Sequence, residues 1–322
     1  MLNFYVAKDN FLNAVSYKNI KDGSLQPIWI DIFDPTPEED KIVEGLLDIN
    51  IPDRYEMNEI ELSNRLYQAK DAIYVTGSFV TSEQKTQAIT FILTKKLIVT
   101  LRYVEFSFFE RYLNYHKKNG FTDLHHTNIF LGLLEAAIGQ LADYIEEICH
   151  SIDESTQVIF RPEIPGKKQK FKVDYKRIIC QVGHNGDLIS KTHESLMSSY
   201  RILSFISESK ELKLTSEDSR KLKILVNDIP PLNDHTTFLS NKVNFLLDAC
   251  LGMINIDQNN IIKMVSVAAI IFFPPTLIAS IYGMNFTVIP ELEWDYGYPF
   301  SLLLIVLAGL LPYVYFKQKD WI

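Results

Sequence analysis

The chain has 322 residues, of which 47% are apolar and 22% charged, and its formal net charge is −8. This length allows one or two domains with a proper core, and the acidic balance argues against nucleic acid as the main partner, because phosphate binding needs surplus Lys and Arg. Three distant cysteines, Cys149, Cys180 and Cys250, lack CxxC spacing, so the sequence predicts neither a disulfide framework nor a zinc site.

Residues 1–122 alternate strand-like and helix-like patterns, which predicts a cytoplasmic α/β domain. Thr36 is predicted to cap a helix whose first residue is Pro37, and a second helix is expected over 105–118. The N-terminus has no signal-peptide pattern, so this part should stay in the cytoplasm. No nucleotide-binding loop, hydrolase or kinase signature is present, so we expect no enzyme activity and no organic cofactor. The predicted strands, chosen for β-branched and aromatic content, are 27–32, 72–80, 88–93 and 97–101.

Residues 123–262 are predicted to form a long helical stalk. Helical patterns cover 123–160 and 171–212, with a break at 161–168 between them. A further helix begins near Ser216, and Pro230–Pro231 should kink or restart it. No charged break or glycine cluster interrupts 234–281, so one very long helix is expected to leave the cytoplasm and become a membrane span.

Residues 263–322 are predicted to form a transmembrane domain. The runs 264–282 and 299–316 contain no charged residue, and each is close to the ~20 residues that a helix needs to cross a bilayer. A buried core helix is the alternative interpretation, but uncharged apolar helices of this length are rare in soluble domains. The sequence therefore predicts a protein of the α+β class with a cytoplasmic α/β domain, a helical stalk and two C-terminal transmembrane helices.

The charges beside the two runs predict their orientation. Lys263 precedes the first run, and Lys317 and Lys319 lie in the tail 317–322, whereas the loop 283–298 carries acids and no Lys or Arg. Basic residues prefer the cytoplasmic side of a membrane. Both termini are therefore expected in the cytoplasm and the acidic loop outside, in the inner membrane of a cell, with membrane lipid as a partner.

A polar stripe follows the long predicted helix. At 100° per residue, ten side chains fall within an arc of about 100°: Thr237, Asn241, Asn244, Asp248, Asn255, Asn259, Ser266, Phe273, Thr276 and Ser280. One interpretation is a solvated face followed by Ser and Thr that bond their own backbone. The other is a water-filled path whose neutral oxygens suit a hydrated cation. Two spans cannot enclose a pore, so this second interpretation requires a homo-oligomer.

The residues at the end of the first span resemble those of a known family. Tyr282-Gly283-Met284-Asn285-Phe286 is followed by Pro290-Glu291-Leu292, and the chain closes with a basic tail after the second span. In this position, between two C-terminal spans, the motif resembles that of the CorA family of magnesium transport channels. The resemblance is strongest over 226–322.

The resemblance implies a funnel-shaped homopentamer whose first span lines the pore. Gly283, Met284 and Asn285 would form the outer entrance and meet an ion that keeps its water, because Mg²⁺ sheds its hydration shell reluctantly. Glu291 and the other loop acids would concentrate cations there. Asn259, Phe273 and Thr276 match pore-lining positions of the family, Pro274 matches a family proline, and Pro275 is additional.

The resemblance also implies a regulatory metal site. In the family, cytoplasmic Mg²⁺ binds between neighbouring subunits and closes the pore, with one acid on the long helix and another in the neighbour's α/β domain. Asp248 matches the first acid, and Glu83 lies in the loop expected for the second. Mg²⁺ would thus be both the transported and the regulatory ion.

The main hypothesis is electrically driven Mg²⁺ uptake, with Co²⁺ and Ni²⁺ as further candidate ions. The first alternative is a Zn²⁺ transporter of the ZntB branch of this superfamily, because a filter for hydrated ions discriminates weakly. The second is a membrane-anchored regulator that senses ions and conducts none.

Overall fold

The computed structural model describes residues 1–21, 25–59, 61–121, 124–160, 173–209, 212, 214–285 and 289–319. The chain forms two compact units, Met1–Leu246 and Leu247–Ile322, and each is described by itself.

One mixed sheet organises the N-terminal unit. In the part of the chain that the structure describes, seven strands follow the order β2-β1-β3-β7-β6-β5-β4. β3 and β7 are parallel, and the other neighbours are antiparallel. The strands are β1 Leu2–Lys8, β2 Phe11–Val15, β3 Trp29–Phe33, β4 Leu66–Ala69, β5 Ala72–Val80, β6 Thr86–Leu93 and β7 Ile98–Arg102.

The prediction of strands was confirmed for β3, β5, β6 and β7 and missed the other three. β5 has the predicted bounds, and β3, β6 and β7 differ from theirs by one or two residues. The sequence prediction missed β1, β2 and β4, of which β2 and β4 are the edge strands. The missed strands are connected by tight hairpin turns. Asp9 and Asn10 join β1 to β2 with φ of 51° and 63°, and Lys70, at φ 51°, begins the turn from β4 into β5.

Short and medium helices cover this sheet. These are α1 Tyr17–Lys21, α2 Pro37–Leu47, α3 Arg54–Met57, α4 Leu62–Arg65 and α5 Ser107–Asn119. The predicted start of α2 is confirmed, since Oγ1 of Thr36 accepts from the amide of Glu39 while the Glu39 carboxylate accepts from the amide of Thr36. This reciprocal capping satisfies two of the amide donors that a helix start leaves open.

Long helices complete the unit. α6 spans His126–Ile159 and α7 spans Tyr175–Glu208, and the predicted break at 161–168 lies outside the described residues. Gly132 of α6 allows a close approach to α5, because a Cβ there would lie 2.5 Å from Cε2 of Tyr112. α7 packs on β5, where Oγ of Ser198 accepts from the amide of Ser78.

The third long helix, α8, spans Ser216–Tyr282 and belongs to both units. The predicted continuity over 234–281 is confirmed. The expectation of a restart at Pro230–Pro231 was wrong, because the helix is uninterrupted there. Ile229 and Leu239 on either side of the pair are buried, and such packing holds helical geometry where local preference opposes it.

The C-terminal unit contains the last part of α8, a 3₁₀ turn at Pro290–Glu293 and helix α9 at Gly297–Gln318. The turn is joined closely to α9. A Cβ on Gly297 would lie 2.0 Å from the carbonyl oxygen of Glu291, and the amide of Gly297 donates to the carbonyl of Trp294 at 2.8 Å. A side chain at position 297 would force the Glu291 carbonyl to move, so glycine permits this close approach between the turn and α9.

Candidate ion pathway in the C-terminal unit

Two helices of the described chain, α8 and α9, are long and apolar enough to cross a membrane. Only 6% of the residues in each apolar window are buried within the chain, which does not fit the core helix of a soluble protein. Large side chains such as Phe272 and Leu311 are 71% and 66% exposed. A surface of this kind requires lipid or another protein to cover it.

The polar stripe lies on an open face of α8. Its members in this unit are Asp248, Asn255, Asn259, Ser266, Phe273, Thr276 and Ser280, and all seven are exposed. The three remaining members, Thr237, Asn241 and Asn244, are exposed on the α8 segment of the N-terminal unit. No residue of the predicted stripe is therefore used for packing within the chain.

The other face of α8 is less exposed. Val267 is buried, and Ile271, Pro274, Ile278 and Tyr282 are partly buried. These positions are three or four residues apart and therefore share one helix face. At 100° per residue, these positions lie roughly opposite the polar stripe, which includes Ser266 and Phe273.

Thr276 uses its hydroxyl proton within the helix. Oγ1 donates to the carbonyl of Phe272 at 2.8 Å, which is the backbone bond that the first interpretation of the stripe expected. The oxygen keeps lone pairs that can accept a further hydrogen bond. Because its proton is engaged, the exposed Thr276 offers an acceptor, and acceptors bind the waters of a cation.

The Gly283-Met284-Asn285 motif continues directly from α8. The amide of Gly283 donates to the carbonyl of Ala279 at 3.0 Å, and that of Met284 donates to the carbonyl of Ile281 at 3.2 Å. Gly283, Met284 and Asn285 are exposed. These two bonds extend the helix end, so Asn285 comes directly after hydrogen-bonded backbone. Phe286 lies outside the described residues.

The loop after the motif presents acids beside aromatic rings. Glu291 and Asp295 are exposed. The ring centroid of Trp294 lies 5.6 Å from that of Phe300 and 6.3 Å from that of Tyr296. Exposed Trp and Tyr are typical of the level where lipid headgroups meet water, and the carboxylates give this level a negative field.

The two acids proposed for a regulatory site are each exposed and belong to different units. Asp248 lies on α8 in the C-terminal unit. Glu83 lies in the turn between β5 and β6, with its carboxylate 2.8 Å from Nζ of Lys85. The hydrogen bond and charge of Lys85 lower the pKa of Glu83. Across the described ranges, no three His, Cys, Asp or Glu side chains are grouped to hold a metal ion.

One polar cluster was missed by the sequence prediction, and it lies where α8 begins. The Asp218 carboxylate, 1% exposed, accepts from Nε2 of His125 at 2.7 Å, from Oγ1 of Thr127 at 2.9 Å and from the amide of Thr215 at 3.2 Å. Burial by itself raises the pKa of Asp218, but these hydrogen bonds outweigh it and lower the pKa below its ordinary value. Thr215-x-x-Asp218 is a capping pattern that the sequence displays.

Comparison with known proteins shows which family the sequence resembles. Residues 24–318 match the sequence model of the family described as "CorA-like Mg2+ transporter protein". The "Magnesium transport protein CorA" of Haemophilus ducreyi is 31% identical over 320 residues, which cover 98% of each protein.

Two solved structures share the fold. That of the CorA magnesium transporter from Methanocaldococcus jannaschii is similar with a TM-score of 0.79 at 18% identity, over 100% of this chain and 99% of that one. The ZntB cytoplasmic domain from Vibrio parahaemolyticus has a TM-score of 0.56 at 11% identity, over 80% of this chain and 98% of that one. At these identities the likeness concerns the fold alone.

Proposed function

Because this chain belongs to the family of CorA-like Mg²⁺ transporter proteins, we propose that it is a divalent-cation channel that carries Mg²⁺ into the cell. The observation that carries the proposal is the open polar stripe of α8, every member of which is exposed in the single chain. A chain that buries none of these side chains leaves them available to line a shared path.

The path is formed by several copies of the chain around one axis, and we propose five. The stripe of each α8 faces the axis, and each α9 lies on the outer side. In this arrangement residues 1–122 and the stalk 123–262 are cytoplasmic, and residues 263–322 form the membrane domain. The partly buried face of α8, at Ile271 and Ile278, supports this order of the helices.

Ion selection takes place at the outer end of the path. Gly283, Met284 and Asn285 form the entrance, where neutral oxygens bind the waters of Mg²⁺ without removing them. Glu291 raises the local cation concentration through its charge. The close approach of the Glu291 backbone to Gly297 supports this role, since it brings the residue that carries the acid next to the start of α9.

Below the entrance, the ion passes oxygen-bearing and apolar levels. Ser280, Thr276, Ser266 and Asn259 supply hydrogen-bond partners for the water shell, and Phe273 supplies an apolar constriction that can exclude water. The engaged proton of Thr276 supports the assignment, because it leaves an acceptor rather than a donor toward a hydrated cation.

Closure depends on cytoplasmic Mg²⁺ bound between Asp248 of one subunit and Glu83 of the next. Both acids are exposed in the single chain, which supports a site that two subunits share. Lys85 already neutralises Glu83, so Mg²⁺ must displace this ammonium group to bind there. Because this ion pair is exposed, its competition should lower the regulatory affinity by only about a few-fold.

The driving force is electrical. Both termini are cytoplasmic, and a negative-inside potential favours entry by ~2.3 kcal/mol per charge for each 100 mV, hence about twice that for a divalent ion. Lys263 and Lys317 beside the spans support this orientation. Co²⁺ and Ni²⁺ would follow the same path, since the proposed filter contacts water rather than metal.

Two alternatives remain distinct from Mg²⁺ uptake. A Zn²⁺ transporter is one, because the fold is shared with a ZntB cytoplasmic domain. A membrane-anchored regulator without conduction is the other, and it has no need of an open polar face on α8.

The deciding experiment is ion flux into proteoliposomes that contain a Mg²⁺-sensitive dye. The native chain should admit Mg²⁺ faster as the interior is made negative, and Asn285→Ala should lose this flux. Asn260→Ala is the matched control, since Asn260 is exposed on α8 but outside the stripe. Zn²⁺ flux without Mg²⁺ flux would favour the first alternative, and no flux of either ion from a folded oligomer would favour the regulator.

A further inference from the structure

Two consecutive prolines change the hydrogen bonding in the middle of the first span. In a regular helix the amides of residues 274 and 275 would donate to the carbonyls of Ile270 and Ile271. Pro274 and Pro275 have no amide proton, so both carbonyls lose these donors. Unsatisfied backbone groups are costly in hydrocarbon, and neighbouring helices commonly compensate for them.

Gly309 of α9 lies against one of these two carbonyls. A Cβ built on Gly309 would be 3.4 Å from Cγ of Pro275 and 3.7 Å from the carbonyl oxygen of Ile271. The glycine backbone therefore faces both the proline ring and the oxygen that this proline leaves without its helical donor. A single methyl group at position 309 would make ordinary contacts at these distances, whereas a longer side chain would add atoms beside the Pro275 ring.

The contact lies on the side of α8 away from the proposed pore. Ile271, Pro275 and Ile278 are partly buried, whereas Phe273 and Thr276 on the stripe are exposed. A change at Gly309 would therefore act on the stripe only through the position or bend of α8. This geometry makes Gly309 a residue whose effect on conduction is indirect.

We propose that Gly309 is a positioning residue for the pore helix. Because it has no side chain, it leaves room for the ring of Pro275 and places its own backbone beside the carbonyl of Ile271. The segment of α8 that contains the proline pair is thereby held by α9 at one point. Conduction then depends on the fit between a glycine on one span and a proline on the other.

The test combines distance measurements with flux. Spin labels at Met264→Cys and Tyr315→Cys, placed in a Cys149→Ser, Cys180→Ser, Cys250→Ser background and diluted with unlabelled subunits, report the separation of the two spans. Gly309→Ala should keep the native distance and Mg²⁺ flux. Gly309→Leu should widen the distance and lower the flux about tenfold, because overpacking of this size costs enough to shift a conformational balance by that factor.

The second variant makes the test specific to Pro275. In Pro275→Ala/Gly309→Leu the ring is absent and the amide donor is restored, so both the distance and most of the flux should return. Gly309→Leu with native distance and flux would overturn the proposal, and so would a defect that Pro275→Ala does not relieve. The flux arm rests on the proposed function, but the distance arm does not, so a chain without Mg²⁺ flux would refute that function and still test this contact.

Discussion

The carboxylate of Asp218 lies 2.7 Å from Nε2 of His125, and this contact joins the amino ends of two long helices. His125 is the residue before α6, and Asp218 is in the first turn of α8. The positive ends of both helix dipoles therefore meet one buried negative charge. Thr127 and Thr215 complete the set of donors.

Asp218→Asn should destabilise the N-terminal unit by about 2–4 kcal/mol, since hydrogen bonds to a buried charge are stronger than neutral ones and their loss leaves donors unpaired. The native pKa of Asp218 is lowered, so its stabilisation is present above the ordinary carboxyl pKa of about 3.9 and is lost as pH falls through the native value. Thermal unfolding of the detergent-solubilised chain at several pH values measures both effects. Equal stability of Asp218→Asn and the native chain at neutral pH would contradict the assignment.

Arg102→Met should cost about 3–5 kcal/mol, because it leaves the Asp31 carboxylate buried without its partner. The Arg102 guanidinium donates to both Asp31 oxygens at 3.1 and 2.9 Å, and the Asp31 side chain is 4% exposed. Lys70→Met is the control, since the exposed Lys70–Asp48 pair should contribute less than about 1 kcal/mol. Unfolding midpoints measure the stability that each variant loses. Similar losses in Arg102→Met and Lys70→Met would show that the buried Asp31 pair stabilises the fold no more than an exposed pair does.

Gly297→Ala should abolish most Mg²⁺ flux, since the new methyl group would meet the Glu291 carbonyl at 2.0 Å and force the outer loop to move. Gly139→Ala is a suitable control because nothing lies within 4 Å of a Cβ there. This second change should stabilise α6 by up to about 1 kcal/mol and leave flux unchanged. Proteoliposome flux and unfolding midpoints are the measurements, and full activity of Gly297→Ala would mean that the loop conformation is not required.

Lys85→Met should make the channel close at lower internal Mg²⁺, because it removes the cation that competes for the Glu83 carboxylate. Glu83→Gln should have the opposite effect. Flux recorded against internal Mg²⁺ concentration gives the midpoint of closure for each variant, and Lys95→Met, which alters another exposed ion pair of the same unit, serves as the control. Unchanged midpoints in both Glu83→Gln and Lys85→Met would remove Glu83 from the regulatory site.

Local sequence patterns predicted the elements that local forces determine. The start of α2 follows from Thr36, Pro37 and Glu39, and β5 follows from a run of residues buried on both faces. The continuity of α8 over 234–281 was predictable because no charged break or glycine cluster interrupts that range. The Pro230–Pro231 pair misled the prediction, since burial of Ile229 and Leu239 decides the outcome there and is not visible in a local window.

The missed features depend on distant residues. β4 has only four residues, and it is a strand because it pairs with β5. The contact of His125 with Asp218 joins residues 93 positions apart, and that of Gly309 with Pro275 requires two spans to meet. The polar stripe was predictable as a helix face, but its exposure was not, because only the fold determines which face of α8 packs.

The sheet order has a consequence for how the chain is made. β3 pairs in parallel with β7, so residues 29–33 cannot acquire this neighbour until residue 102 has been synthesised. The first apolar residues of the spans follow about 160 positions later, which corresponds to roughly 10–30 s of translation. The N-terminal sheet therefore has time to close on the ribosome before the first span reaches the insertion machinery. If β3 and β7 paired slowly or wrongly, the N-terminal domain would still be unfolded when the first span entered the membrane.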